Sequence, residues 1–580
     1  MTNREIANIL YEMAMFFEME GAAFKPAAYE RAGQSIESLD TELAGLYREK
    51  GRNAFADIPG VGKGIADHLK ELLEKGDFRE HAALVKKYPV KIAELAAVQG
   101  VGPKMIKLLW QKLKIKNLAD LERAAKAGKI RTLPGLGEKS EQKILKGIEF
   151  LKTSGGRKLL GSILPEVRTL ESLVRSFPET EEAAVAGSIR RRKETIGDID
   201  ILVASSQPEA VMQKFLALPI ISHVYGHGQT KTNVRLKNGL DADLRVVPKK
   251  SWGAALNYFT GSKEHNVALR ERAIKKGWKL NEYGLFSAKG GQAGAKMVAG
   301  KTEEELYKKL GLRYIEPELR ENMGEIEAAR MNKLPHLIGY GDIRGDLQVQ
   351  TDWTDGDNSI EEMALAASDA GLEYIAITDH TQYLAMTRGL DEKKVIKQMA
   401  EIDRVNKKLR GRAITCHVLK GTECDIHKDG SLDLTDDVLS KLDVVGVSIH
   451  SYFKLSREEQ TKRVIRAMEN PHVDIVFHLT GRLINKRPPV DVDIDAIIAA
   501  AKRTGTVLEI NASPERLDLK DEYIRKCVEA GVKMTIDSDA HAADHFTFLE
   551  YGIAQARRGW ATKNDIINTR PLKDFLQALK

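Results

Sequence analysis

At 580 residues, 42% of them apolar and 30% charged, the chain is too long for one hydrophobic core, and an ordinary globular composition makes about three to five domains the expectation. No apolar run reaches the ~18–20 residues of a membrane span, and charges inside the apolar pattern of "MTNREIANILYEMAMFFEMEG" argue against a signal peptide. Three cysteines (Cys416, Cys424, Cys527) are odd in number and have no metal-ligand spacing, which argues against a disulfide framework and points to a reducing cytoplasm, and the net charge of +7 is modest for this size.

The first third reads as helices with short breaks. Ile6, Ile9, Leu10, Met13 and Phe17 mark one amphipathic face. Three breaks repeat: "IPGVGKG" (58–64), "VQGVGPK" (98–104) and "LPGLGEK" (133–139). Each sets Gly-apolar-Gly before a basic helix start, at a spacing of one helix pair. Paired glycines permit a close backbone approach, and the helix N-terminus beyond offers free N–H groups to a phosphate. Such a grip reads no base. Gly60, Gly62, Lys63, Gly100, Gly102 and Lys104 are therefore candidate DNA contacts, with the third copy left as structural. A plain αα turn explains any single copy. Residues 101–150 carry 12 Lys/Arg against 5 Asp/Glu, and "SIRRRK" adds a second basic cluster, both compatible with a polyanion. The three hairpins resemble the helix-hairpin-helix motif of DNA repair proteins.

"VAGSIRRRKETIGDIDILVAS" (185–205) runs Asp198-Ile199-Asp200 into an apolar strand, and period two places both acids on one face. Adjacent acids repel unless a cation lies between them, and hard oxygen ligands suit Mg²⁺. Asp243, in "DLRVV", is a third acid for a two-metal site. Two such ions suit nucleotidyl transfer, where one activates a hydroxyl and the other holds a triphosphate. An exposed strand with solvated acids is the bland alternative.

With "YFTGS" (258–262), "NEYGLF" (281–286) and the Gly-Ser-x-Arg-Arg run, the region up to about residue 320 resembles the family X DNA polymerases, of which polymerase beta is the best known. The resemblance implies an α+β nucleotidyltransferase palm and a thumb-like subdomain. It also implies catalysis by Asp198, Asp200 and Asp243 with two Mg²⁺. Gly187, Ser188, Arg191 and Gly197 would bind the triphosphate. Tyr258, Phe259 and Gly261 would line the sugar pocket, Asn266 would meet the base and Arg270 the template. Lys25 and Tyr29 match a 5′-phosphate pocket, but the position of the family's Schiff-base lysine falls on His68. Imidazole forms no stable imine, so lyase activity is expected to be weak or absent.

After a charge-mixed link, strand-like runs alternate with helices from about residue 345, which reads as a barrel or parallel sheet with function at strand C-terminal ends. His380, Glu423, His450, His478, Asp539 and His541 fall at such ends, and mixed imidazole and carboxylate donors suit Zn²⁺ or Mn²⁺. His417, His427, His472 and His545 lack this placement and read as surface or packing residues. This part resembles the polymerase-and-histidinol-phosphatase (PHP) domain, which implies a distorted seven-stranded βα barrel, a trinuclear centre and phosphoesterase or Mn²⁺-dependent 3′→5′ exonuclease chemistry. Where that family has Asp-Leu-His-x-His, this chain has Asp346-Leu347-Gln348-Val349-Gln350. With Asp355, seven of nine ligand positions are kept, and both losses fall on one ion.

The expected layout is a helical DNA-binding domain (1–82), a helical fingers-like domain (83–152), a palm (153–253), a thumb-like subdomain (254–318), a linker (319–341) and a PHP domain (342–580). The expected function is gap filling in base excision repair. The substrates would be gapped or nicked duplex DNA and dNTPs, the enzyme would be a cytoplasmic monomer, and its PHP activity would be reduced or lost. The alternatives are a PHP nuclease that uses the polymerase part to hold DNA, and a DNA-binding scaffold without chemistry.

Overall fold

The computed structural model describes residues 1, 3–37, 43–55, 58, 60–96, 98, 101–154, 157–287, 296–383 and 387–579. The chain divides into two compact units, residues 1–155 and 156–580. No helix among the described residues is long and apolar enough to cross a membrane.

The first unit is helical and has two cores. Ile6, Leu10, Met13 and Phe17 pack with Ile65, Leu69 and Phe78 in one core. Ile92, Ile106, Leu109 and Ile144 lie in the other. Helix α1 (Lys63–Lys75) starts after Gly62 and helix α2 (Pro103–Leu113) after Gly102, with both glycines extended and neither helix capped by a side chain. Their first N–H groups thus have no local acceptor. Gly60 and Gly135 adopt positive φ (79° and 78°), the conformation that the repeated glycine supplies. Gly100 lies outside the described residues.

The second unit begins with a five-stranded palm sheet. Its strands are β1 (Glu182–Val185), β2 (Asp198–Ala204), β3 (Ile221–His227), β4 (Lys231–Leu236) and β5 (Asp241–Val247), arranged β1-β2-β5-β4-β3. Only β2 and β5 are parallel, and their register pairs Asp200 with Asp243. Period two sends Ile199, Ile201 and Val203 into the core, so the acids take the other face. Helices α3 (Trp252–Thr260), α4 (Lys263–Lys275) and α5 (Glu303–Leu310), with a small antiparallel sheet, form the thumb-like part.

Seven parallel strands follow: β6 (Gly345–Val349), β7 (Tyr374–Ile377), β8 (His417–Asp425), β9 (Val444–Ser448), β10 (Ile475–Val476), β11 (Val507–Asn511) and β12 (Met534–Asp537). They pair in sequence order, and backbone bonds from Ala540 N to Gln348 O (3.1 Å) and from Gln350 N to Ala540 O (2.8 Å) join last to first. The sheet is therefore a nearly closed barrel, as expected from the strand–helix alternation. Its strands are buried on both faces, which explains their near-continuous apolar runs.

The barrel is not a detached module. The palm core takes in Ile484, Leu517 and Tyr551, and the thumb core takes in Trp560. Gly161 lets the palm helix Leu160–Arg175 press against Pro514, since a Cβ there would overlap that ring.

Candidate active sites

Asp198, Asp200, Gly187, Ser188, Arg191, Tyr258, Phe259, Gly261, Asn266 and Arg270 line one cavity of about 410 Å³. Gly187 starts a single helical turn at φ 59°, and a Cβ there would overlap the Asp200 carboxylate. Glycine is required on both counts. Burial, with the Asp198 and Asp243 charges, pushes the Asp200 carboxyl up to about 7. Asp243 has Lys231 Nζ at 3.4 Å and a close contact from the Asn233 amide, both on the neighbouring strand β4.

Arg191 donates from Nε to Glu321 Oε1 (3.1 Å) and from Nη1 to the Thr260 carbonyl. Asn266 donates to the Tyr258 carbonyl (2.7 Å), and Arg270 Nε to the Asn266 carbonyl (3.3 Å). The Arg245 guanidinium lies 4.6 Å from the Phe259 ring centroid. Gly197 is exposed beside Arg157, whose guanidinium holds the Thr195 backbone. Arg157, Lys193 and Lys263 also line the cavity and were not singled out from sequence. Lys231 and Asn233 were not singled out either, because they meet the acids through the pairing of β4 with β5.

Behind the cavity sits a buried ionic cluster. Glu303 accepts from Arg190 (2.7 and 3.0 Å) and from the fully buried Arg320 (2.6 Å). Burial opposes its ionisation, but Arg320 and Arg190 hold its carboxyl down at about 2.

In the first unit, Tyr29 and His68 meet at 2.5 Å (Oη to Nδ1). Glu80 takes up both Lys25 (3.1 Å) and His68 Nε2 (3.4 Å). An imidazole thus stands where an imine-forming amine would be needed.

The barrel gathers His380, His450, His478 and His541 at one end. Two donor groups share His380: Asp355–His380–His541 and His380–Glu423–His450. His478 Nε2 lies 2.9 Å from Glu423, and Asp539 pairs with Arg516 at 3.2 Å. Burial alone would lower His450, but the Glu423 and Asp425 carboxylates raise it to about 9. His478 is pushed down by burial and by Arg516. Asp425, 3.2 Å from His450 Nδ1, was missed in the sequence although it shares a strand face with Glu423. His478 and Asp539 carry positive φ (24° and 57°), a strained backbone of the kind found at functional sites. His545, read from sequence as packing, bonds the His541 backbone through Nδ1 at 3.2 Å.

Gln348 and Gln350 are fully buried in this cluster. Gln350 Nε2 donates to Glu423 Oε2 (2.9 Å), and Gln348 Oε1 accepts from Asn511 (2.9 Å). Gln348 Nε2, Gln350 Oε1 and one nitrogen each of His380 and His478 are buried without a hydrogen-bond partner. The His380 nitrogen and a Glu423 oxygen that lack a hydrogen-bond partner fit metal coordination at the two groups that share His380. At the glutamine positions, by contrast, neutral amides are poor ligands.

Family models match along the chain: a helix-hairpin-helix domain at residues 1–78, a SAM-like helix-hairpin-helix tandem at 92–149, a DNA polymerase beta thumb at 255–321 and a PHP domain at 346–558. Over 583 residues, and the full length of both chains, the protein is 35% identical to the DNA polymerase/3′-5′ exonuclease PolX of Bacillus subtilis. It belongs to the PHP-containing family X DNA polymerases. DNA polymerase lambda of Rattus norvegicus is 26% identical over 55% of this chain and 56% of its own length. A probable phosphatase of Thermoanaerobacter sp. is 31% identical over 38% of this chain and 89% of its own. Membership in this family implies use of divalent metals and binding to DNA.

Proposed function

We propose that this family X enzyme fills short gaps in duplex DNA during base excision repair, acting as a cytoplasmic monomer on gapped or nicked DNA and dNTPs. The observation that carries the reading is the meeting of Asp200 and Asp243 in register on parallel strands, with Asp198 beside them, at a cavity lined by Ser188, Arg191 and Asn266. Three acids this close, with the Asp200 carboxyl pushed up by burial and by the other two charges, fit a pair of Mg²⁺ ions. When bound, such ions lower the pKa of the primer hydroxyl and neutralise triphosphate charge.

The chain's own residues do the remainder. Ser188 and Arg191 hold phosphate oxygens, with the backbone at Gly187 and Gly197. Tyr258, Phe259 and Gly261 form the sugar wall. Asn266 is oriented by the Tyr258 carbonyl toward the base, and Arg270 lies one helical turn on, facing the template. In the first unit Gly60, Gly62, Lys63, Gly102 and Lys104, with Lys25 and Tyr29, hold the DNA backbone. With His68 at the imine-forming position, lyase activity at that pocket is weak or absent.

For the PHP domain, Asp355, His380, Glu423, His450, His478, Asp539 and His541 would hold Mn²⁺ or Zn²⁺. The Gln350–Glu423 bond supports a centre of fewer ions, with reduced or lost exonuclease activity. Primer extension across a one-nucleotide gap tests the reading. The triple variant Asp198→Ala/Asp200→Ala/Asp243→Ala should give no extension, and extension by that variant would overturn it.

A further inference from the structure

The last residue of helix α6 (Leu549–Arg558), in the PHP domain, reaches the polymerase cavity wall. The Arg558 side chain is almost wholly buried. Its Nη1 donates to the backbone carbonyl of Arg191 (2.9 Å) and to Glu321 Oε1 (3.1 Å), and its Nη2 pairs with Asp521 (2.5 Å). The same Glu321 oxygen accepts from Arg191 Nε at 3.1 Å, and Lys193 Nζ lies 3.8 Å from it. One carboxylate oxygen is therefore divided between an arginine of the phosphate-binding turn and an arginine of the other catalytic domain.

A buried carboxylate with a single cationic partner grips it strongly, because nothing else compensates its charge. A second buried cation shares that charge and weakens the hold on the first. A guanidinium that must turn toward an incoming triphosphate benefits, since its hydrogen bonds are charge-assisted and compete directly. The bond to the Arg191 carbonyl also fixes the backbone of the turn.

We propose that Arg558 is a positioning residue for nucleotide binding: it fixes the Arg191 turn and draws Glu321 away from the Arg191 side chain, so that the PHP domain sets the triphosphate affinity of the polymerase site. The contrary view is that Arg558 only cements the two domains. The inference rests on Arg191 acting as a triphosphate ligand.

The full-length chain tests it by steady-state single-nucleotide gap filling. Arg558→Gln keeps a donor for the Arg191 carbonyl but not the charge. It should raise KM for the dNTP about tenfold while kcat changes less than about threefold, an effect in the range of contacting charged pairs. Adding Glu321→Gln should return KM to within about threefold of wild type, and Arg558→Lys should fall between Arg558→Gln and wild type. A cementing role predicts the opposite: a lower melting temperature, KM for the dNTP unchanged, and further damage from Glu321→Gln. Either an unchanged KM in Arg558→Gln or no recovery in the double variant overturns the proposal. Should Arg558→Gln fail to fold, Asp521→Asn in the same assay decides. It frees Arg558 to bind Glu321 alone, and a KM that does not fall overturns the proposal. Arg191→Ala separates the two claims. If it leaves KM unchanged, the triphosphate reading itself fails. If it raises KM and Arg558→Gln does not, only the role of Arg558 fails.

Discussion

The two acid-rich sites of this enzyme treat their charges in opposite ways. At the polymerase site the acids are left in conflict: Asp198 is exposed, Asp200 and Asp243 are half-buried side by side, Lys231 and Asn233 offset Asp243, and the Arg191 and Arg245 charges offset Asp200 only in part. At the PHP site the charges are buried and only in part answered from within, with Glu509 and Asp537 pushed well up by burial and by neighbouring acids. Glu423 meets His380, His450, His478 and the Gln350 amide, and Asp539 meets Arg516. A site of acids alone depends on cations to offset its repulsion, whereas the PHP site offsets part of its charge with its own imidazoles, one guanidinium and one amide. Under the proposed reading, the contrast accounts for polymerase chemistry at the first site and for a second site that packs with amides at Gln348 and Gln350.

The largest effect tests the first half of that contrast. Asp200→Asn should lower kcat for gap filling by on the order of 10³-fold, while His450→Ala leaves it within about threefold. Equal losses in steady-state assays would mean that the two sites do not work separately.

The polymerase half has its own satisfied cluster, and it predicts a pH effect. The Glu303 carboxyl lies near 2 in the fold, below its ordinary value of 4.5. Its contribution, about 3 kcal/mol, is thus fully present above pH ~4.5 and is lost as pH falls toward ~2. Urea unfolding from pH 5 to pH 3 should show this loss in the wild type, and Glu303→Gln should flatten it.

Restoring imidazoles tests the second half. Gln348→His/Gln350→His should bind about one more Mn²⁺ per chain by elemental analysis and raise 3′→5′ degradation by at least ~10-fold. An unchanged metal content would place the deficit elsewhere. The smallest effect concerns the fixed cation: Lys231→Met should reduce kcat by no more than about fivefold, as befits a half-exposed pair.

Much of this was legible from sequence, for physical reasons. Strand periodicity placed Asp198 and Asp200 on one face without any knowledge of the sheet, because side chains alternate along any strand. Gly-x-Gly repeats announced helix starts, and barrel strands announced themselves by apolar runs ending in His or Asp. Residues that act from a neighbouring strand were less visible. Lys231 and Asn233 face Asp243 only through the β4–β5 pairing. Asp425 and Arg516 gain meaning only beside His450 and Asp539.

The sequence by itself determined the family, the order of the parts, the three acids and the two glutamines, since each is written in local pattern and residue type. Only the tertiary structure decided what the glutamines do and how the domains meet. Gln350 engages Glu423 across 73 positions, and Arg558 reaches Arg191 across 367. Contacts at such separations depend on the packing of the barrel and of the palm against it, and no local pattern encodes them.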